Sequence, residues 1–373
     1  MSDLQSELLL SDPEHTARAL EAVKAVDPNG MLNVAFETPR QIVDAIAKAK
    51  SFNEGDLPLD RSRLHLVGLG GSAIAGELLR DMVAPKRGIS IHRGTKPPRD
   101  RAGVIVSSYS GNTREILELS HQVTGGLRTV VFFASGGMLE KLAFDWGIPL
   151  WKMPAGYQPR AAVGWSLALV TSLAERWGVY QGVIEKLISA AQKLGDELGH
   201  GDLHHHSLVR SALPIAEAIG DKPVVIFHSL RCTGAARRLA AQLNENAKQI
   251  AFALVMPEAV HNGVEGLVGS GEVDKYSLIF MSDANDTLSL QDTMDRALRF
   301  FTDKGFSTLV FPSAGNDPFE LTLSRILIAD MISLFIAAHR GIDPTPIPAI
   351  REIKSMEPPL DLMNYDKDMA EFR

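Results

Sequence analysis

The chain has 373 residues, 45% of them hydrophobic and 22% charged, the composition of a folded soluble protein, and its length calls for more than one ordinary core, so two domains are expected. A formal net charge of −7 leaves no broad positive surface for a polyanion, which argues against a nucleic-acid partner while leaving room for a basic pocket around a single phosphate. Cys232 is the only cysteine, so an intrachain disulfide and a cysteine-cluster metal site are both excluded.

Residues 1–55 read as helices. DPEHTARALEAVKAV and ETPRQIVDAIAKAK space alanine and longer aliphatics by three and four, with DPNG between them as a turn. They are expected to cover the following domain or reach a partner subunit, and they carry no chemistry. The start, MSDLQSELLLSDPEHTARAL, lacks a basic segment followed by a long apolar run and a small-residue cleavage site, so a cytoplasmic location is expected. No membrane span is expected either: the apolar stretch Ile326–Ala338 is short and carries Asp330.

From Leu64 short apolar runs alternate with polar-capped helices, the rhythm of a parallel sheet flanked by helices. LHLVGL, GISIH, AGVIVSS, LRTVVFFA and GIPLWKM are the expected strands, with SAIAGELLRDMV and TREILELSHQVTG as helices between them. Two long amphipathic helices follow, AAVGWSLALVTSLAERWGV and GVIEKLISAAQKLGDELGH, and the rhythm restarts with KPVVIFHS, AFALVMPE, KYSLIFMS and STLVFPSA. The proline-containing tail GIDPTPIPAIREIK cannot continue the last long helix and is expected to turn before a final short one. The expected division is a helical segment at 1–55, a first α/β domain at 56–175, a helical linker at 176–210 and a second α/β domain with its tail at 211–373.

Two strand-to-helix junctions in the first half carry chemistry. GLGGSAIAGELL places Gly68, Gly70, Gly71 and Ser72 where a tight turn exposes backbone donors at a helix start, and an anion is stabilised there. A dinucleotide fold is disfavoured because Ala73 stands where the last glycine of G-x-G-x-x-G would be, and GISIHRG ends without an acidic ribose ligand. SSYSGNTREILE offers the hydroxyls of Ser108, Ser110 and Thr113, with Gly111 allowing close approach. Such clusters often only cap helices. Two of them at the carboxyl ends of strands in one sheet point instead to a shared phosphate-binding crevice that needs no metal.

GLGGSAIAG with SSYSGNTRE is similar to the sugar isomerase (SIS) fold, and YQPR, LNENAK, PEAVHN and DPTPIPAIREIK extend the resemblance to the bifunctional phosphoglucose/phosphomannose isomerases of archaea and bacteria. The resemblance implies two tandem SIS domains, no cofactor and no metal, and a homodimer with a shared active site. It implies that Ser108, Ser110 and Thr113 hold the 6-phosphate beside Gly71 and Ser72. It makes Glu245 the base, Arg160 the cation that steadies the intermediate, and His261, donated by the neighbouring subunit, the group that assists ring opening. Lys354 matches the lysine that helps at the ring oxygen, and Thr345 sits where the family accommodates both sugar epimers. Three positions depart from the pattern: HNGVE puts Gly263 where an acidic residue is usual, with Glu265 two positions on; AAQ replaces WK before LNENAK; and Arg114 stands where a glutamate is common.

Aldose–ketose interconversion moves one proton between adjacent carbons, which a single well-placed carboxylate can do through a cis-enediol, while a fixed cation stabilises the developing oxyanion. The plainer readings are that Glu245 is a surface residue paired with Lys248, that Arg160 salt-bridges the domain boundary, and that His261 caps a turn. The run His204, His205, His206 reads as a polar interhelical loop rather than a metal site, and Cys232 as buried. Two other functions fit the same residues: a sugar-phosphate sensor without turnover, and an isomerase of a related phosphosugar.

Overall fold

In the computed structural model, which describes residues 9–357 apart from 84–87, 98–99, 125–128 and 200, the apolar runs become strands of two separate parallel sheets. Three helices come first: α1 (Pro13–Val26), α2 (Met31–Phe36) and α3 (Thr38–Ala49). Asp12 caps α1 by accepting from the N–H groups of Glu14 and His15, the role expected of an aspartate before a proline at the first helical position. The first sheet and its helices run β1 (Asp60–Gly68), α4 (Gly71–Val83), β2 (Ile89–His92), β3 (Ala102–Ser107), α5 (Arg114–Thr124), β4 (Val130–Ala134), α6 (Gly137–Trp146) and β5 (Leu150–Lys152).

After α7 (Val163–Arg176), α8 (Val183–Gly199) and α9 (Ser207–Ile219), the second sheet is assembled from β6 (Val224–His228), α10 (Thr233–Glu245), β7 (Ala251–Val255), α11 (Gly263–Gly269), β8 (Ser277–Met281), α12 (Leu288–Asp303) and β9 (Ser307–Val310). The chain closes with α13 (Pro318–His339) and α14 (Pro348–Ser355). The strand orders are β2-β1-β3-β4-β5 and β7-β6-β8-β9, so the first four strands of each half are connected in the same order. Every strand pairing is parallel. The α/β class and the tandem organisation expected from the sequence are what the chain adopts.

Side-chain alternation explains how the halves are joined. Leu64 and Leu66 of β1 and Ile105 of β3 face one way; Val67, Val104 and Val106 face the other. The first set shares one continuous core with Ile226 and Ile279 of the second sheet and with the buried faces of α4, α7, α10 and α13. The outward sets form separate cores under the flanking helices, Val104 with Ile116 and Leu139 in the first half and Phe227 with Phe301 in the second. Helices α4 and α10 approach so closely that a Cβ on Gly234 would lie 2.5 Å from the Leu78 nitrogen. The N-terminal helices pack inside the same chain, α1 against α9 and α13, and α3 against α7 and α8.

The apolar stretch Ile326–Ala338 lies within the longer helix α13. The helix runs for 22 residues with a mean hydropathy of 1.8 over its most apolar window, enough to cross a membrane by length and composition, and 89% of that window is buried within the protein. A helix apolar on all sides is the mark of a central core element as much as of a membrane span. Its charges are satisfied internally: Asp330 takes the guanidinium of Arg238 at 2.9 and 2.6 Å, and Gln242 Nε2 donates to it at 2.8 Å. Both ions of this pair are 3% exposed, so removing one strands the other in the core. Asp330→Ala is expected to lower the unfolding free energy by about 3–5 kcal/mol, read by denaturant titration, and Arg238→Met in the same chain to recover much of that loss.

Candidate active site

The expected phosphate cradle lies at the carboxyl ends of β1 and β3, adjacent strands of the first sheet. Ser108 follows β3, its N–H donating to the Phe133 carbonyl at 3.0 Å, and its hydroxyl lies 2.9 Å from that of Thr113, one residue before α5. Gly111 has φ +68°, and a Cβ there would fall 1.8 Å from the Gly136 carbonyl, so glycine alone fits this turn. Ser110 is exposed at the loop tip, and its Oγ accepts from the Asn112 N–H at 3.2 Å. The GGS turn stands alongside: a Cβ on Gly68 would meet Ser72 Cβ at 3.3 Å and the Ser107 carbonyl at 3.4 Å. The Ser108 and Thr113 hydroxyls thus meet at the start of α5, with Ser110 at the loop tip and Ser72 at the start of α4, and N–H groups without helical partners at such helix starts favour an anion. Arg114, one of the departures, folds onto its own helix and pairs with Glu118 at 3.0 Å.

Among the described residues the second half shows no such hydrogen-bonded pair of hydroxyls at the equivalent junction. The topologically equivalent crossover, from Ser282 to Thr287, holds Asp283 and Asp286. Arg325 donates to Asp283 at 3.1 Å, and the Asp283 N–H donates to Asp286 at 2.8 Å. The guanidinium of Arg325 and the hydrogen bonds from Asn285 hold the Asp283 carboxyl below its usual range against the opposing effect of burial, which is the largest single influence on it. A charged carboxylate in that position repels phosphate.

The cradle reaches the second half through the QPR segment. A Cβ on Gly71 would lie 3.1 Å from the Pro159 carbonyl and 3.7 Å from Arg160 Cα. Pro159–Ala161 form one turn of 3-10 helix, and from it the Arg160 side chain, 4% exposed, crosses to the other half of the chain. Its Nε donates to Asn246 Oδ1 at 2.7 Å, its Nη1 to Glu245 Oε2 at 3.4 Å, and its Nη2 to the carbonyls of Pro344 (2.7 Å) and Thr345 (2.9 Å). Burial lowers the guanidinium pKa and the Glu245 carboxylate pulls it back; an arginine stays charged in such a place. Behind it, Arg238 donates to the Arg160 carbonyl at 3.1 Å, and Asn246 Nδ2 to Ser333 Oγ at 2.9 Å. Arg160 does bridge the two halves, and it does so while holding the carboxylate that the sequence singled out.

Glu245 is the last residue of α10, with a side chain 27% exposed. The ion pair with Lys248 does not form; Lys248 Nζ binds the Glu245 carbonyl at 2.7 Å instead. Thr345 sits in the turn between α13 and α14, its N–H donating to Asp343 at 2.8 Å, and its Oγ1 is buried with no partner among the described residues. Gly71, Ser72, Ser108, Ser110, Thr113, Arg160, Glu245 and Thr345 therefore form one continuous region. His261 and Lys354 do not join it within the chain. His261 ends a 3-10 turn at the surface, and Lys354 lies on α14, none of whose residues is buried. Gly263 and Glu265 fall on α11, which Asn262 caps.

Reading the sequence missed Asn246 and Arg238, whose roles depend on partners 86 and 92 residues away; only their places in and just before LNENAK hinted at them. Cys232 is fully buried, and burial pushes its thiol up to about 12, which leaves it unreactive. The histidine run forms the expected turn between α8 and α9. Donor atoms of Asp202, His204 and His205 come within 4.8 Å of one another there, closer than expected of near neighbours, on a largely exposed surface.

Residues 209–356 match the family described as bacterial phospho-glucose isomerase C-terminal SIS domain. A bifunctional phosphoglucose/phosphomannose isomerase from Aquifex aeolicus is 29% identical over 295 residues, covering 77% of this chain and 88% of that protein. A D-glucosamine-6-phosphate 4-epimerase from Sulfolobus acidocaldarius is 28% identical over 294 residues, covering 76% and 87%. Among solved structures, a hypothetical protein from Thermus thermophilus superposes with a TM-score of 0.68 at 14% identity, covering 92% of this chain and 95% of its own. With two parallel sheets of matching strand order and relatives that span both, the chain is a member of the SIS-domain phosphosugar-isomerase superfamily.

Proposed function

We propose that this protein interconverts glucose 6-phosphate and mannose 6-phosphate with fructose 6-phosphate, one carboxylate moving the proton through a cis-enediol. The observation that carries the reading is the Glu245–Arg160 pair, built beside a hydroxyl-lined cradle from the opposite half of the chain. In this reading Ser108, Ser110 and Thr113, with the Gly71–Ser72 turn, anchor the phosphate, and that remote binding orients the reacting carbons. Glu245 takes the proton from carbon 2 and returns it to carbon 1. Arg160 faces the enediolate oxygen, where a fixed charge in a partly dry site favours the transition state over the substrate. In the same reading the Thr345 hydroxyl, which has no partner among the described residues, meets the hydroxyl that differs between the two aldoses.

Ring opening requires proton transfer at the ring oxygen, and an imidazole exchanges protons near neutrality. His261 and Lys354 are exposed in the single chain, which suits a homodimer in which a second copy presents His261 to the site. The chemistry calls for no cofactor. Ser108→Ala and Thr113→Val are each expected to raise KM for the sugar phosphate about 10-fold or more, the loss of one hydrogen bond to a charged group, measured by steady-state kinetics.

A second reading is favoured by the epimerase relative, which at 28% identity stands as near as the bifunctional isomerase: the same site acting on an amino-sugar phosphate. The deciding experiment incubates chelator-treated protein separately with glucose 6-phosphate, mannose 6-phosphate and glucosamine 6-phosphate. Fructose 6-phosphate from the first two supports the isomerase. Conversion of glucosamine 6-phosphate alone supports the second reading, and binding without any product supports a sensor.

A further inference from the structure

Among the described residues Lys248 is the only non-glycine with positive φ, at +52°. A side chain costs about 1–2 kcal/mol in that region, where helices ordinarily end on glycine or asparagine. A lysine kept there has a use for its side chain. Its Nζ lies 2.7 Å from the Glu245 carbonyl, 3.4 Å from that of Asn246, 3.1 Å from that of Asp343 and 3.4 Å from that of Pro344. The first two are end-of-helix carbonyls of α10, the negative pole of its dipole, and the last two belong to the turn that carries Thr345. The ammonium sits among main-chain oxygens as a bound monovalent cation would. Arg340 holds the other side of the bend, donating to the carbonyls of Ala247 (3.1 Å) and Lys248 (3.2 Å).

Arg160 completes the arrangement. It takes the Pro344 and Thr345 carbonyls from the site side, so the carbonyls of 343, 344 and 345 are all held by Lys248, Arg160 or both. Glu245 is gripped twice as well, its carboxylate by Arg160 and its carbonyl by Lys248. Lys248 thus ties the main chain at Glu245 to the 343–344 turn, while Arg160 holds the carboxylate and the Thr345 carbonyl.

We propose that Lys248 is a positioning residue for Glu245: its ammonium, caged by four carbonyls, fixes the end of α10 against the 343–345 turn and so sets where the carboxylate meets the sugar. The proposal rests on Glu245 acting as the base. Because the phosphate is anchored in the other half of the chain, loss of the clamp affects the chemical step and spares binding.

The test uses the full chain with Lys248→Gly, which accepts φ +52° without strain and removes only the ammonium and its stem, and Lys248→Met, which keeps an apolar stem. Both are expected to lose kcat by on the order of 100-fold, the effect of a displacement of about 1 Å at a reacting group, with KM for glucose 6-phosphate within about 3-fold of wild type. Ethylammonium added to Lys248→Gly is expected to restore activity saturably, and to do nothing for Glu245→Gln. A kcat near wild type in both variants, a loss confined to KM, or a Lys248→Gly that no small amine rescues would each overturn the proposal. If the wild-type protein turns over no sugar phosphate, the functional reading fails on its own, and amide exchange over residues 343–347 then decides the clamp. Faster exchange in Lys248→Gly supports it, and unchanged exchange removes it.

Discussion

Glu245→Gln is expected to lower kcat by about 1,000- to 10,000-fold, the span of a lost general base, while the dissociation constant for the sugar phosphate stays within about 3-fold of wild type. The amide retains the shape of the carboxylate and an oxygen that accepts from Arg160 Nη1, now 3.4 Å from Oε2, so position is preserved and basicity is lost. Arg160 keeps its bonds to Asn246, Pro344 and Thr345, and the fold loses little. Turnover by stopped assay and binding by calorimetry separate the two quantities. An active Glu245→Gln would assign the proton to another group.

Arg160→Lys is expected to behave differently, because this guanidinium has two tasks. Its Nη1 faces the carboxylate and, in the proposed reaction, the enediolate, so kcat falls by about 100- to 1,000-fold, as when one donor to a developing oxyanion is removed. Its other nitrogens hold Asn246 and two carbonyls in a site where the side chain is 4% exposed. A lysine ammonium is a point charge and cannot reproduce that fork. At least one buried acceptor is left unpaired, and stability falls by about 1–3 kcal/mol, read by thermal unfolding. A loss of activity together with stability at Arg160, and of activity alone at Glu245, distinguishes the cation that builds the site from the base that uses it.

What the sequence revealed, and what it concealed, follows from the range of the interactions involved. The strands were legible because each carries its own signal: LHLVGL and AGVIVSS alternate residues for two buried faces, and Gly111 with the hydroxyls around it marks a turn that only glycine permits. The single core shared by both sheets was not legible, since nothing in Leu66 or Ile226 says that they face a common layer. Helix α13 was legible as a helix, but not the reason Arg325 and Asp330 are tolerated in its apolar run. They are buried and paired with Asp283 and Arg238, and those partners are distant in the chain. Lys248 was the least legible of all: lysine is not a turn-forming residue, and only the positions of four carbonyls explain it. His261 and Lys354 lie at the surface, and their proposed part in the chemistry depends on a second copy of the chain.

The most direct measurement is the fate of the transferred hydrogen when glucose 6-phosphate is converted in deuterium oxide and the product is read by proton NMR. A carboxylate that carries the proton through a cis-enediol exchanges with solvent, so the account predicts deuterium at carbon 1 of fructose 6-phosphate formed by the wild-type chain, and no such product above background from Glu245→Gln. Deuterium entering carbon 1 at the wild-type rate in Glu245→Gln would contradict the account, because another group would then carry the proton.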